Sequence, residues 1–183
     1  MPYREMQLWS NLVTNPGMMG VFKIPEVKEV QYDIPVNVIF ILTKGCCDIW
    51  NTKVLRSAMG AHFKLNIQKL GWEEMKEQLS GSNWFIADNN TITSSRSSTS
   101  IVDLVENISL SSYHSLKYSG SDEISLIIGG ETEGISEEAF SLVASLGGLR
   151  INIPLGNDIE SLNSSTALAV IIFEMKRQIK GVN

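Results

Sequence analysis

The chain has 183 residues, with 15 Lys and Arg against 20 Asp and Glu, and a formal net charge of −5. That length suits one domain with a real core, and no run of eighteen apolar residues marks a membrane span. The acidic balance gives no global attraction to nucleic acid, which needs local Lys and Arg.

In chain order, residues 1–35 read as a mixed lead-in. Its start, Met1-Pro2-Tyr3-Arg4-Glu5, has no apolar signal-peptide core, and Glu5 suits a transit peptide poorly. Thr14-Asn15-Pro16-Gly17 reads as a turn. Val36 to Leu42 is a buried-strand candidate, apolar and β-branched apart from Asn37. The adjacent Cys46 and Cys47 argue against a disulfide framework and for a reducing compartment. No further ligands stand at metal-site spacing, so both read as buried, inert thiols and no metal is implied. Asn51 to Ala61 reads as a helix, Trp72 to Leu79 as a short amphipathic helix and Trp84 to Ala87 as a short strand.

Residues 89–122 are rich in Ser, Thr and Asn and have little periodicity before Ile101, so they read as an insertion, partly ordered at best. Ile124 to Ile128 is a strand. Ser136 to Leu146 is a helix with Ser136 as N-cap, acids in its first turn and Gly147-Gly148 as its stop. Leu149 to Ile153 is a strand. Asn163 to Ile179 is a long helix with Lys176, Arg177 and Lys180 near its C-terminus. Strands alternating with helices predict an α/β fold with a mostly parallel sheet and helices on both faces.

Three pieces of the last sixty residues carry the functional reading. The loop Ile128-Gly129-Gly130-Glu131-Thr132-Glu133-Gly134-Ile135-Ser136 leaves an apolar strand. The strand end Ile151-Asn152-Ile153-Pro154-Leu155 turns at its proline, and Glu160-Ser161-Leu162-Asn163-Ser164-Ser165 precedes the last helix. Glycines allow close approach of backbone to a ligand, and a helix start offers free N–H groups. The set describes a site that grips a small molecule mainly with main chain.

In this order and spacing the three pieces resemble motifs two and three of the SpoU-type (TrmH-like) RNA 2′-O-ribose methyltransferases of the SPOUT class. Within that class they resemble the mitochondrial large-subunit rRNA methyltransferase 3 type. Thr43-Lys44-Gly45-Cys46-Cys47-Asp48-Ile49-Trp50 and Lys53-Val54-Leu55-Arg56-Ser57-Ala58-Met59-Gly60-Ala61-His62-Phe63 support the match. The resemblance covers residues 38–70 and 124–181 well and the middle poorly. It implies a C-terminal trefoil knot, a homodimer built around the last helix, a mitochondrial location and S-adenosyl-L-methionine as cofactor. The cofactor contacts it implies are Gly129, Gly130, Gly134, Ile153, Pro154 and Leu162, so a side chain at Gly129 is expected to intrude on the ligand.

Ser161 and Asn163 would orient the methyl donor or the ribose hydroxyl, and both also suit helix capping. Glu131 would touch cofactor or nucleotide, or simply sit near the start of the next helix. Arg56 is an RNA-phosphate candidate. His62 reads first as a packed, hydrogen-bonded residue and second as a group titrating near neutral pH.

The pattern breaks at motif one, an Asn-x-Gly-x-x-x-Arg run whose Arg the family uses to activate the 2′-hydroxyl. Pro35-Val36-Asn37-Val38-Ile39 has neither its Gly nor its Arg. A strand–helix–strand crossover has collapsed into one strand, so one strand and one helix are missing. The expected organisation is residues 1–35 as the edge of an N-terminal substrate-binding domain and 36–183 as an incomplete methyltransferase domain. The expected function is methylation of large-subunit rRNA. The alternative is a catalytically impaired cofactor- or RNA-binding paralogue, or a shortened isoform, acting in ribosome assembly.

Overall fold

The computed structural model describes residues 39–43, 45–89, 99–120, 123–131, 134–156, 159 and 161–179. The lead-in, its turn and Lys180 lie outside them. The chain divides into two compact units, Met1–Lys69 and Leu70–Asn183.

In the first unit, strand β1 (Ile39–Leu42) runs parallel to β2 (Asn66–Lys69), with Ile39 opposite Asn66 and Leu42 opposite Lys69. Parallel neighbours need a crossover. Here it contains helix α1 (Thr52–Ser57) and a 3₁₀ turn at Ala61–Phe63. The Asn51 side chain caps α1 by accepting the Lys53 N–H at 2.9 Å. The helix stops well before Ala61 because Met59 (φ 47°) and Gly60 (φ 84°) turn left-handed. Strand β2 was not legible: Asn-Ile-Gln-Lys holds one apolar residue. No described residue of this unit is fully buried, and Ile39, Met59 and Phe63 are exposed. Cys46 and Cys47 are exposed too, contrary to the buried thiols expected, because they sit in the open turn after β1.

The second unit runs α2 (Trp72–Gln78), β3 (Asn83–Ala87), α3 (Thr99–Asn107), β4 (Leu110–Ser112), β5 (Ile124–Ile128), α4 (Glu137–Ser145), β6 (Leu149–Asn152) and α5 (Ser164–Ile179). Its four strands form one parallel sheet in the order β4-β6-β3-β5. Central β3 buries Trp84, Phe85 and Ile86 in succession, as expected of a parallel strand covered on both faces. Phe85 joins Ile151, Tyr118 and, from α5, Ile171 and Met175 in one core cluster. On the opposite face, α4 comes so close to β3 and β6 that a Cβ at Gly148 would meet Val143 Cγ1 at 2.5 Å and the Trp84 carbonyl oxygen at 2.7 Å. Gly148 therefore sets the packing distance there as well as ending the helix.

Residues 99–120, placed by sequence inside a partly ordered insertion, contribute α3 and the edge strand β4. The cause is a buried ion pair that composition could not show. Arg150, in β6, donates through a terminal nitrogen to Asp88 Oδ2 at 3.2 Å, and their side chains are 8% and 0% exposed. Its Nε donates to the Ile108 carbonyl at 2.9 Å, and its backbone N–H to the Ser109 carbonyl at 2.9 Å. One arginine so fastens the end of β3 and the α3–β4 junction to β6.

At the other end of the cluster, Gln178 of α5 accepts the Tyr118 N–H at 2.9 Å and donates to the Leu116 carbonyl at 3.0 Å. The Tyr118 hydroxyl donates to the Tyr113 carbonyl at 2.7 Å. Burial, helped by the nearby Glu174 carboxylate and Tyr113, pushes the Tyr118 phenol from 10.0 up to about 12.

Two outcomes follow. Arg150→Met removes the cation from the buried Asp88 carboxylate and should lower unfolding free energy by about 3–5 kcal/mol in urea titration, whereas the double variant with Asp88→Asn should recover part of that loss. The folded state also holds the Tyr118 proton more tightly than the unfolded chain. Its contribution is complete below pH 10 and declines as pH rises towards about 12. In Tyr118→Phe, unfolding titrations across that window should show a shallower decline.

Candidate functional site

Parallel sheets bind ligands beyond the carboxyl ends of their strands. Here the ends of β5 and β6 flank that of β3, with Ala87 opposite both Ile128 and Ile151. Two strand spacings of about 4.8 Å separate the outer pair. The glycine loop leaves β5 and the Ile153-Pro154 turn leaves β6, so topology brings two of the three predicted pieces together. Ile128 and Ile153 both pack on the core cluster, while Pro154 is exposed.

The loop closes on itself. The Gly130 N–H donates to the Gly134 carbonyl at 3.0 Å, and the Gly134 N–H returns to the Gly130 carbonyl at 3.1 Å. Gly134 has φ 69°, where a side chain is strained. A Cβ on Gly129 would meet the Gly134 carbonyl carbon at 2.6 Å and its oxygen at 2.8 Å. The loop alone therefore excludes a side chain at Gly129, before any ligand is considered. Gly130 is different. It is exposed, with nothing within 4 Å of where its Cβ would stand among the described residues.

The third piece is joined to this loop by side chains. The Ser164 hydroxyl donates to the Gly129 carbonyl at 3.0 Å, and Asn163 Nδ2 donates to Glu131 Oε1. The other end of the Asn163 amide caps α5, its Oδ1 accepting the Ser165 N–H at 3.0 Å and the Thr166 N–H at 3.4 Å. Capping and site-building, read from sequence as alternatives, thus use opposite ends of one amide. Ser161 and Glu131 are exposed and Leu162 is half-buried. Sequence reading missed Ser164 as a fastening. Its signal was available only as a hydroxyl in the first turn of an apolar helix.

Arg56 is exposed on α1 in the first unit, whereas the glycine loop belongs to the second. His62 is half-buried, its ring 5.6 Å from that of Trp50. Its buried Nδ1 has no hydrogen-bond partner among the described residues, so the ring packs at a 36° tilt to the indole without the hydrogen bond expected there. A cleft of about 820 Å³ between α2 and α4 contains none of the predicted site residues. Glu73, Glu74, Glu137 and Glu138 line it, and each stands in the first turn of its helix, where the dipole favours acids. Among the described residues no cluster of His, Cys, Asp and Glu is placed to hold a metal, and no helix is long and apolar enough to cross a membrane.

A parallel α/β unit with a self-closing glycine loop at its strand ends, tied to the start of a C-terminal helix, defines the class of this protein. The sequence pattern of the SpoU rRNA Methylase family matches residues 34–173, and the chain belongs to that family. It is 30% identical to human "rRNA methyltransferase 3, mitochondrial", with 98% of this chain and 57% of the relative aligned. It is 29% identical to zebrafish "rRNA methyltransferase 3A, mitochondrial", over 97% of this chain and 53% of the relative. The chain thus spans little more than half the length of these relatives. The zebrafish alignment runs over 233 positions against 183 residues here, so at least fifty have no counterpart within the aligned span.

The fold is shared with an AdoMet-bound rRNA methyltransferase from Sinorhizobium meliloti, at TM-score 0.57 and 20% identity over 75% of this chain and 44% of that one. It is also shared with the SpoU methyltransferase AviRb from Streptomyces viridochromogenes, in complex with AdoMet, at TM-score 0.57 and 20% identity over 76% and 49%.

The two neighbouring glycines should separate experimentally. Gly129→Ala has to displace the Gly134 carbonyl and should lower the melting temperature by several degrees, on the order of 1–3 kcal/mol of overpacking. Gly130→Ala should melt like the wild type. Equal melting temperatures for both variants in differential scanning calorimetry would contradict the loop geometry.

Proposed function

We propose that this chain binds S-adenosyl-L-methionine at the glycine loop and serves 2′-O-ribose methylation of large-subunit rRNA in mitochondria. The observation that carries the reading is the direct fastening of two motifs, Ser164 to Gly129 and Asn163 to Glu131, at the carboxyl edge of a SpoU-family sheet. The names of the mitochondrial relatives support the substrate and location, and the two AdoMet complexes support the cofactor.

The residues present fit that cofactor. Gly130 leaves open space beside main-chain groups, and half-buried Leu162, Ile153 and Leu155 offer apolar surface of the kind an adenine ring takes. When bound, the cofactor supplies an electrophilic methyl group to a ribose oxygen. The chain's part is positioning: the loop main chain, with Gly129, Gly130 and Gly134, Ile153-Pro154 and Leu162 would hold the donor. Glu131, Asn163 and Ser161 would set polar groups beside the reacting hydroxyl. Such orientation of reactants is the larger share of what a protein contributes to a transfer of this kind.

Two structural features of the family belong to this proposal. One is the C-terminal trefoil knot, and the packing of Ile171 and Met175 of α5 on Phe85, Tyr118 and Ile151 supports it. The remaining face of α5 shows Ala169 and Phe173, the latter 69% exposed, although the run 167–173 is apolar throughout and demands cover on more than one side. A second copy of the chain is the proposed cover. Light scattering should show a dimer that Phe173→Glu dissociates; a wild-type monomer at high concentration would remove this part.

The internal shortfall against the relatives, and the absent motif-one Arg, favour a second reading in which cofactor binding outlives turnover. Loss of hydroxyl activation costs ~10²–10⁴-fold. We therefore expect calorimetric titration to show S-adenosylmethionine binding, with tritiated-methyl transfer to deproteinised large-subunit rRNA very weak or absent. No heat of binding would refute the cofactor site. Robust transfer by the unmodified chain would refute the impairment, and its loss in Arg56→Ala would identify the residue that replaces motif one.

A further inference from the structure

Charge is not spread evenly along this chain. Residues 39–69 hold five Lys or Arg (Lys44, Lys53, Arg56, Lys64 and Lys69) against one acid, Asp48. The rest of the chain carries the whole acidic excess. The same segment turns large apolar side chains outward, with Phe63 60% and Met59 91% exposed. The Trp50 ring lies 5.6 Å from that of His62 and 6.3 Å from that of Phe63, tilted by 36° and 51°. Three rings therefore stand side by side.

Local backbone explains how they meet. Helix α1 starts two residues after Trp50, and the left-handed pair Met59-Gly60 reverses the chain so that the 3₁₀ turn returns His62 and Phe63 to the indole. A left-handed Met is costly, and the Met59 side chain is itself 91% exposed. Lys53 and Arg56 project from α1 and Lys64 follows Phe63. All three are exposed, and no carboxylate pairs with them among the described residues.

Exposed Phe63, set against half-buried Trp50 and His62 and followed or preceded within a few residues by cations that no described carboxylate pairs, matches one kind of ligand well. A nucleobase offers a π-face to an aromatic ring and brings phosphates to neighbouring cations. An apolar protein surface would satisfy the rings and leave the cations without partners. We propose that the Trp50–His62–Phe63 face binds unpaired RNA, with Phe63 stacking on a base and Lys53, Arg56 and Lys64 meeting the flanking phosphates. The inference rests on the reading of the chain as an RNA-modifying protein and adds the form of RNA it takes. Duplex is disfavoured, because its bases already stack on one another.

The test uses the full chain and fluorescein-labelled oligoribonucleotides in anisotropy titrations: an unstructured 12-mer of uridine and adenosine, and a perfect hairpin of similar charge. The variants are Phe63→Leu, which keeps apolar bulk and removes the π-face, and Lys53→Gln/Arg56→Gln/Lys64→Gln, each checked by circular dichroism and melting. The wild type should bind the 12-mer more tightly than the hairpin. With three phosphate contacts, log affinity should fall with log salt at a slope of about −2. Phe63→Leu should weaken 12-mer binding about ten-fold at unchanged melting temperature, and the triple variant should flatten the salt slope.

Equal affinity of wild type and Phe63→Leu, tighter hairpin binding, or no RNA binding at all would overturn the proposal. So would a wild-type dimer that Phe63→Leu dissociates, which would assign the face to a second copy. Titration of the same samples with S-adenosylmethionine keeps the two readings apart. Cofactor binding with unchanged RNA affinity in Phe63→Leu counts against this face alone. RNA binding as described without cofactor binding counts against the cofactor site alone.

Discussion

Arg150 is the charge around which the second unit is arranged. It sits between two apolar residues of β6, and burying it has a large desolvation cost that only close partners offset. Those partners come from distant places: the Asp88 carboxylate beyond β3 and the Ile108 carbonyl at the end of α3. Satisfying one side chain therefore fixes where β3 ends and where the α3–β4 junction docks. Strand β4 takes its place beside β6 as a consequence. An apolar residue at 150 could pack, but it would give no direction to the 108–110 segment.

The same economy governs the strand ends. Glycines 129 and 134 serve the loop's own closure, and Gly130 leaves space beyond it among the described residues. Asn163 and Ser164 then attach that closed loop to the start of α5, while Ile171, Met175 and Gln178 attach the rest of the helix to the core and to residues 116–118. The site and the core share one helix, so the geometry of the loop depends on the packing of residues three turns away.

Much of this was legible. The alternation of strands and helices, the bounds of β5, α4 and α5, and the association of the glycine loop with Asn163 all follow from periodicity, caps and the family resemblance. What was not legible has physical causes. Strand β4 is three polar-flanked residues whose pairing is decided by Arg150, a contact 42 residues away in sequence. Strand β2 has too few apolar residues to show an alternation. The thiols at 46 and 47 look buried by residue type, yet stand in an open turn. At Gly129 sequence shows that a side chain is excluded and not all that excludes it. Here a carbonyl five residues on does so.

The strand order β4-β6-β3-β5 also bears on how the chain is made. Strand β6 is last in sequence and lies between two strands synthesised before it. The fastenings Asp88–Arg150, Tyr118–Gln178 and Gly129–Ser164 all wait for residues beyond 149. A nascent chain ending before β6 holds β3 with one open edge, β4 with no strand partner, and Asp88 without its arginine. Folding with such long-range closures is slow, and open apolar edges are sites of mispairing. At synthesis rates of about 5–20 residues per second, the last thirty-five residues take a few seconds to appear. The sheet then has to admit its central member late, and the hazard of the fold is concentrated in that interval.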